Sequence, residues 1–304
     1  MIKVFGHQSP DTDCTGSAIV WAWYLSHHTG MEATPYVLGA LNKETEFVLS
    51  RFKVESPTLL ESVSAGDSVV IVDTNNPQEL FENINETNIL QVIDHHKLVG
   101  GLTTDGPIDI TMRALASTAS VIYDLIGEEE LPEHIAGILL SCILSDTLEF
   151  RSPTTTPQDK DIAEVLAKAL GIDISTYANE LFAAKSDVSD FTDSGLIKLD
   201  SKKFAVGDLN LRVSVIETTD AATVLTRKDG IVAAIEEIKA SESDVDEVLF
   251  FIVDILKEEA TALTYNDTTK DIIEKSFAVS VESDVEVLPG VVSRKKQIIP
   301  ALKV

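Results

Sequence analysis

The sequence predicts an α/β protein: a doubly wound parallel sheet over residues 1–185, a short linker at 186–195, and a smaller C-terminal α/β domain at 196–304. Three observations carry this expectation. Short apolar runs alternate with helically periodic stretches through the first half, the βαβα order of a parallel sheet. Several of those runs stop abruptly in a polar cluster, as strands do where they feed a ligand site. The composition then changes at Ser186-Asp187-Val188-Ser189-Asp190-Phe191-Thr192-Asp193-Ser194-Gly195, which is rich in Ser and Asp and reads as a linker or hinge.

Ile2–Phe5 opens the chain as a strand. Thr15–His28 follows as a helix, with Ile19 and Trp23 among its helically spaced apolar positions. Pro35–Leu38, Val69–Val72 and Leu90–Ile93 read as strands; Ser117–Ile126, Ile135–Ser145 and Asp159–Leu170 read as helices. Beyond the linker, Leu211–Ile216, Val248–Ile252 and Ala260–Tyr265 are expected as strands, and Ala222–Ser241 and Thr268–Ser276 as helices. Val248–Leu256 is the longest apolar stretch. It is too short to span a bilayer, contains Asp254, and reads as a parallel strand buried on both faces.

Across the 304 residues, 44% are hydrophobic and 24% charged, enough for a substantial core and too patterned for wholesale disorder. The formal net charge is −26. Such a chain repels nucleic acid and anionic membrane, so neither is an expected partner. Any phosphate site must be made locally positive, by metal ions or by a few clustered cations. Cys14 and Cys142 are the only cysteines and give no disulfide framework. With no signal-peptide pattern in Met1-Ile2-Lys3-Val4-Phe5, a cytoplasmic location is expected.

Four polar clusters carry chemistry. Gly6-His7-Gln8-Ser9-Pro10-Asp11-Thr12-Asp13, Asp73-Thr74-Asn75 and Asp94-His95-His96 each follow an expected strand; Ser145-Asp146-Thr147 ends an apolar helix. Strand ends on one edge of an open sheet converge in space. Mixed imidazole and carboxylate donors suit Mn²⁺, Co²⁺, Zn²⁺ or Fe²⁺, and clustered aspartates repel one another unless a cation lies between them. A lone aspartate after a strand is most often a cap or turn residue; Asp13, for one, could cap the helix near Thr15. The joint occurrence of all four clusters is what points to metal. His27-His28 and His134 read as structural or surface residues. Cys14 could face the metals, although a small buried apolar role suits both cysteines.

Near the C-terminus, Gly290-Val291-Val292-Ser293-Arg294-Lys295-Lys296-Gln297 places three cations together in a very acidic chain. This is either a solvated turn or a phosphate clamp, with Arg294 offering planar bidentate donors and Lys295 a point charge. Lys202 and Lys203, just past the linker, could join it. A clamp on one domain and metals on the other would put the substrate in the interdomain cleft.

The order His7, Asp11, Asp13, Asp73, Asp94-His95-His96 and Ser145-Asp146 resembles the DHH phosphoesterase superfamily. With the tail Ser293-Arg294-Lys295-Lys296-Gln297, the chain is similar to the family II, manganese-dependent inorganic pyrophosphatases from Ile2 to Leu302. The resemblance implies one metal held by His7, Asp11 and Asp73, and a second by Asp13, Asp73, His95 and Asp146, with Asp73 shared. It implies phosphate contacts from His96, Lys202, Arg294 and Lys295, two Mn²⁺ or Co²⁺ ions, Mg²⁺ arriving with the substrate, and a homodimer joined through the N-terminal domain. The expected reaction is hydrolysis of pyrophosphate to two orthophosphates by a metal-bridged hydroxide, with Asp73 and His96 catalytic. Alternative readings are another DHH-type phosphoesterase (an exopolyphosphatase or a short-oligonucleotide exonuclease) and a non-catalytic phosphate-binding regulator. One departure is visible. Where the family commonly has His-Asn after the shared aspartate, this chain has Thr74-Asn75, a change expected to spare the ligand set and alter metal affinity.

Overall fold

The structure is a computed structural model that describes every residue except Glu128. The chain divides into two compact units, Met1–Ala184 and Lys185–Val304. Among the described residues no helix is long and apolar enough to cross a membrane.

The first unit runs β1 (Ile2–Phe5), α1 (Thr12–Tyr24), β2 (Ala33–Val37), α2 (Lys43–Arg51), β3 (Thr58–Leu59), β4 (Ser68–Val72), β5 (Asn88–Asp94), β6 (Asp109–Met112), α3 (Thr118–Ile126), α4 (Glu133–Thr147), α5 (Pro157–Leu170) and α6 (Ile174–Lys185). Its six strands are all parallel, in the order β3-β2-β1-β4-β5-β6. The winding direction reverses between β1 and β4, so the loops leaving those two strands diverge and open a crevice at their carboxyl ends. Strand side chains alternate between faces. Phe5, Val69, Ile71, Ile89 and Val92 pack with Val63, Leu80 and Ile84 on one side; Val4, Val70, Val72 and Ile93 are equally buried on the other. The first of these faces is covered by irregular chain and 3₁₀ turns at Pro77–Glu79 and Ile84–Glu86 rather than by long helices.

Helices α1 and α4 approach closely because Gly16 has no side chain. A Cβ there would lie 2.3 Å from Cys142 Sγ. The Cys142 thiol also donates to the Thr12 carbonyl at 3.2 Å. This contact sets the first turn of α1 against the last turns of α4. The start of α1 differs from expectation: the helix begins at Thr12, and its cap is Asp11, whose Oδ1 accepts from Cys14 N at 2.9 Å. Asp13 therefore lies inside the first turn and is no cap. His27 and His28 fall in a π-helical turn, Leu25–Thr29, stacked on Trp23 and Tyr24.

The second unit contains α7 (Asp193–Leu199), β7 (Ser201–Val206), β8 (Leu209–Thr218), α8 (Ala221–Leu225), α9 (Lys228–Ser241), β9 (Glu247–Asp254), β10 (Glu259–Leu263), α10 (Asp267–Phe277), β11 (Val285–Pro289) and α11 (Ile299–Ala301). The sheet order is β11-β10-β9-β8-β7. Strand β9 is buried on both faces: Val248, Phe250 and Ile252 join Leu196, Ile231 and Ile235, while Leu249, Phe251 and Val253 join Ile272, Ile273 and Ile298. It is parallel only to β8 and antiparallel to β10, so the wholly parallel setting expected for it does not hold.

The single helix expected over Ala222–Ser241 is broken at Thr226-Arg227. The Arg227 guanidinium reaches back to the carbonyls of Val188 (2.8 Å) and Phe191 (2.7 Å) and to Asp193 Oδ1. Ser186 is buried against Thr219. Much of the segment read as a linker is thus fastened to the second unit, and its last three residues begin α7.

Lys203 Nζ pairs with Glu242 at 2.8 Å, and Arg212 pairs with the same carboxylate. These bonds pull Glu242 down to about 2. A depressed carboxyl contributes stability above its unfolded value that is lost as pH falls toward the folded one. Between about pH 4.5 and 2, parent protein should lose urea resistance more steeply than Glu242→Gln. Superimposable profiles would show that the pair contributes nothing.

Candidate metal centre

Asp73 follows β4 and stands at the middle of the site. Its backbone is left-handed (φ 59°), and its N–H donates to Ile93 O at 2.9 Å, holding the loop against the end of β5. The residue is 1% exposed. Oδ2 faces His7 Nε2 at 3.4 Å; Oδ1 faces His95 Nε2 at 3.4 Å and accepts from Thr118 Oγ1 at 2.9 Å. The two carboxylate oxygens therefore serve two different imidazoles. Burial opposes ionisation of Asp73, but hydrogen bonding to His7 and His95 prevails and holds it below the usual carboxylate range.

Asp13 is fully buried and points into the N-terminus of α3. It accepts from Ser117 Oγ (2.8 Å), Thr118 N (2.6 Å) and Ala119 N (3.0 Å) at the helix start, where Ala119 N is shared with the capping Ser117 Oγ. Even so, burial and the charge of Asp73 push Asp13 up to about 7. Burial, then Asp13, Asp11 and Asp73, push Asp146 well above its ordinary value. His95 Nε2 lies 3.8 Å from Asp146 and 3.9 Å from Asp13. Burial disfavours its imidazolium, yet Asp73 and Asp13 outweigh that and raise His95 to about 9.

This donor set fits a metal. His95 Nδ1 is 3.1 Å from Leu115 O, so one proton is committed there and Nε2 is left facing three carboxylates, a position that calls for a proton or a metal ion. The bond from Nδ1 to a backbone carbonyl is the usual support of a metal-binding histidine. The N–O separations of 3.4–3.9 Å are long for hydrogen bonds. They approach the roughly 3–3.4 Å between two donors that share an ion about 2.1 Å away. Among the described residues, three groups have their ligand atoms within 4.8 Å of one another: His7-Cys14-Asp73, Asp73-His95-His96 and Asp13-His95-Asp146. Asp11 Oδ1 lies 3.9 Å from His7 Nε2. Cys14 sits beside this set with its thiol raised by burial and directed at His7 O, so it behaves as a small buried residue.

His96 is the exposed member. Asp94 Oδ1 accepts from His95 N, His96 N and His96 Nδ1 at 2.8–3.0 Å, and Asp94 Oδ2 accepts from Asn75 Nδ2 at 2.6 Å. Asp94 thus orients the His96 ring, leaving Nε2 as its working atom. A hollow of about 670 Å³ opens here, lined by His7, Gln8, Asn75, His96 and Lys97 among others. Thr74 donates to Glu79 Oε2 at 2.7 Å, turned to that carboxylate rather than to the ligands. A larger hollow near Arg51 and His134 shares no residue with this one.

The expected phosphate-binding cations lie in the second unit. Arg294 donates to Asp200 O (2.9 Å) and Oδ1 (2.7 Å), so part of its guanidinium is engaged. Lys203 is tied to Glu242 and Asp244. Lys202 is exposed and, by strand alternation, points to the opposite face of β7; it makes no ion pair with any described residue. Lys295 is exposed. The sequence did not mark Ser117, Thr118 or the orienting task of Asp94; Ser117 and Thr118 act on Asp13 and Asp73, partners brought to them by the fold.

Comparison with known proteins adds to this picture. The family model described as "DHH family, N-terminal domain" matches residues 1–143, and that described as "DHHA2 domain" matches 179–304. The "Manganese-dependent inorganic pyrophosphatase" of Methanocaldococcus jannaschii is 39% identical over 314 residues, covering 100% of this chain and 98% of its own. The Lactobacillus acidophilus protein named "Probable manganese-dependent inorganic pyrophosphatase" is 38% identical over 303 residues, covering 98% and 96%. A crystal structure from Methanococcus jannaschii, of a protein assigned to the family II inorganic pyrophosphatases, aligns with a TM-score of 0.63 at 39% identity over 99% and 98% of the two chains. With this likeness over its full length, and with His and Asp side chains gathered around Asp73, the chain belongs to the DHH family and, within it, to the manganese-dependent family II inorganic pyrophosphatases.

Proposed function

We propose that the chain hydrolyses inorganic pyrophosphate to two orthophosphates in a manganese-dependent reaction at this centre. The observation that carries the reading is Asp73, which turns one oxygen to His7 and the other to His95. His7, Asp11 and Asp73 would hold one Mn²⁺ or Co²⁺; Asp13, Asp73, His95 and Asp146 would hold the second. Such ions, when bound, would neutralise the carboxylates and lower the pKa of a coordinated water from about 15.7 toward 7.

The chain's own groups do the rest. Leu115 O fixes the His95 tautomer, and the α3 N-terminus fixes Asp13. His96, braced by Asp94, offers Nε2 to the bridging oxygen and supplies a hydrogen bond or proton as the P–O bond breaks. Lys202, Arg294 and Lys295 neutralise the phosphate that leaves, and Mg²⁺ enters with the substrate. A homodimer joined through the first unit is part of the same reading.

The test is phosphate release by metal-stripped protein given Mn²⁺, Co²⁺ or Mg²⁺, with tripolyphosphate and a short oligonucleotide in parallel. Fast release from pyrophosphate restored by Mn²⁺ supports the proposal. Cleavage of the oligonucleotide alone would transfer the same site to a nuclease reaction. Arg294→Ala should chiefly raise KM for pyrophosphate, by about 10–100-fold for the lost charge-assisted bonds, with Mn²⁺ affinity unchanged. Parent-like kcat and KM would contradict a clamp role.

A further inference from the structure

Glu44 lies in the first turn of α2, a helix unexpected from sequence, and is 1% exposed. Its Oε2 accepts two hydroxyls, Thr12 Oγ1 at 2.9 Å and Ser145 Oγ at 2.8 Å. Thr12 separates Asp11 from Asp13 in the first turn of α1; Ser145 immediately precedes Asp146 in the last turn of α4. One carboxylate oxygen therefore joins the backbone segments that bear three of the six expected ligands. Glu44 is itself held in place: Asn42 caps α2 by accepting from Thr45 N at 2.8 Å, and Thr45 Oγ1 lies 3.2 Å from Thr12 Oγ1.

We propose that Glu44 is a positioning residue for the metal centre, setting the spacing of Asp11 and Asp13 against Asp146 through Thr12 and Ser145. The inference rests on the metal-centre reading above. Loss of the shared acceptor removes the oxygen through which Thr12 and Ser145 are tied to one another. The first turn of α1 and the last turn of α4 are then free to shift relative to one another. Ligand spacing is then no longer fixed before the ion arrives, and affinity falls as it does when other outer supports are removed, by about 10–100-fold.

The test titrates metal-free protein with Mn²⁺, reading free Mn²⁺ by electron paramagnetic resonance, with unfolding of each metal-free variant followed alongside. Glu44→Ala should weaken Mn²⁺ binding by about 10–100-fold. Glu44→Gln, which keeps an oxygen acceptor, should restore most of it. At saturating Mn²⁺ the KM for pyrophosphate should match the parent. The double variant Thr12→Val, Ser145→Ala removes both donors and should reproduce the loss, which keeps the test decisive if Glu44→Ala does not fold. Parent-like Mn²⁺ affinity in the Ala variant, or in the double variant where the Ala variant is unfolded, overturns the positioning role alone. A parent protein that binds no Mn²⁺ overturns the metal-centre reading and this inference with it.

Discussion

Replacing Asp73 by Ala should reduce manganese-dependent phosphate release below about a thousandth of the parent rate. That exceeds the about 10–100-fold typical of outer supports, because Asp73 is the group that both imidazoles face, one through each oxygen. Removing it takes a donor from both halves of the cluster at once. The left-handed backbone at this position (φ 59°) adds a complication, since Ala tolerates it less well than Asp or Asn. Asp73→Asn is the matched control: it accepts the backbone and nearly the same shape but removes the negative charge. Both variants should be inactive with Mn²⁺, while the Asn protein stays close to the parent in metal-free stability. An Asn or Ala variant that turns over pyrophosphate at the parental rate would sink the assignment of Asp73.

The second large effect is on stability. Without metal, the cluster holds Asp11, Asp13, Asp73 and Asp146 near one another, and neutralisation depends on protons. Asp13 is pushed up to about 7 and His95 up to about 9. A cation that binds only the folded state stabilises it by about 4.1 kcal/mol at a thousandfold excess over its dissociation constant. For a unit the size of Met1–Ala184, one kcal/mol corresponds to about 2–4 °C. Mn²⁺ should therefore raise the calorimetric transition of that unit by about 8–16 °C relative to chelator-treated protein. The Asp73→Asn variant should show a much smaller shift. An equal shift in both proteins would mean that Mn²⁺ acts elsewhere.

What was legible in the sequence follows from burial. Strands β1, β4 and β5 are central, so they read as mostly apolar runs, interrupted only by Lys3 in β1 and Gln91 between Leu90 and Val92, and the chemistry placed directly after each is visible. Helices α3, α4 and α5 carry continuous or amphipathic apolar patterns. Peripheral elements lack that signature. Strand β3 has two exposed residues, β6 is half exposed at the sheet edge, and β7 contains Lys202 and Lys203 and has no fully buried position. Helix α2, Lys-Glu-Thr-Glu-Phe-Val-Leu-Ser-Arg, is mostly polar and was not anticipated. The cap of α1 was misplaced because Asp11 and Asp13 both precede the helical pattern, and only backbone geometry selects Asp11. At the site, residues of the ligand type announce themselves by position after a strand. Their supports do not: Ser117 meets Asp13 across 104 residues and Ser145 meets Glu44 across 101, separations that no local pattern encodes.

The grip of Arg227 on Val188, Phe191 and Asp193 decides where this chain can be divided for production as separate halves. A gene fragment starting at residue 196 would strip the guanidinium of all three acceptors and leave Thr219 without Ser186. A fragment starting at Lys185 would carry the whole fastening with it, so the break that respects the physics falls ahead of the Ser- and Asp-rich stretch rather than behind it.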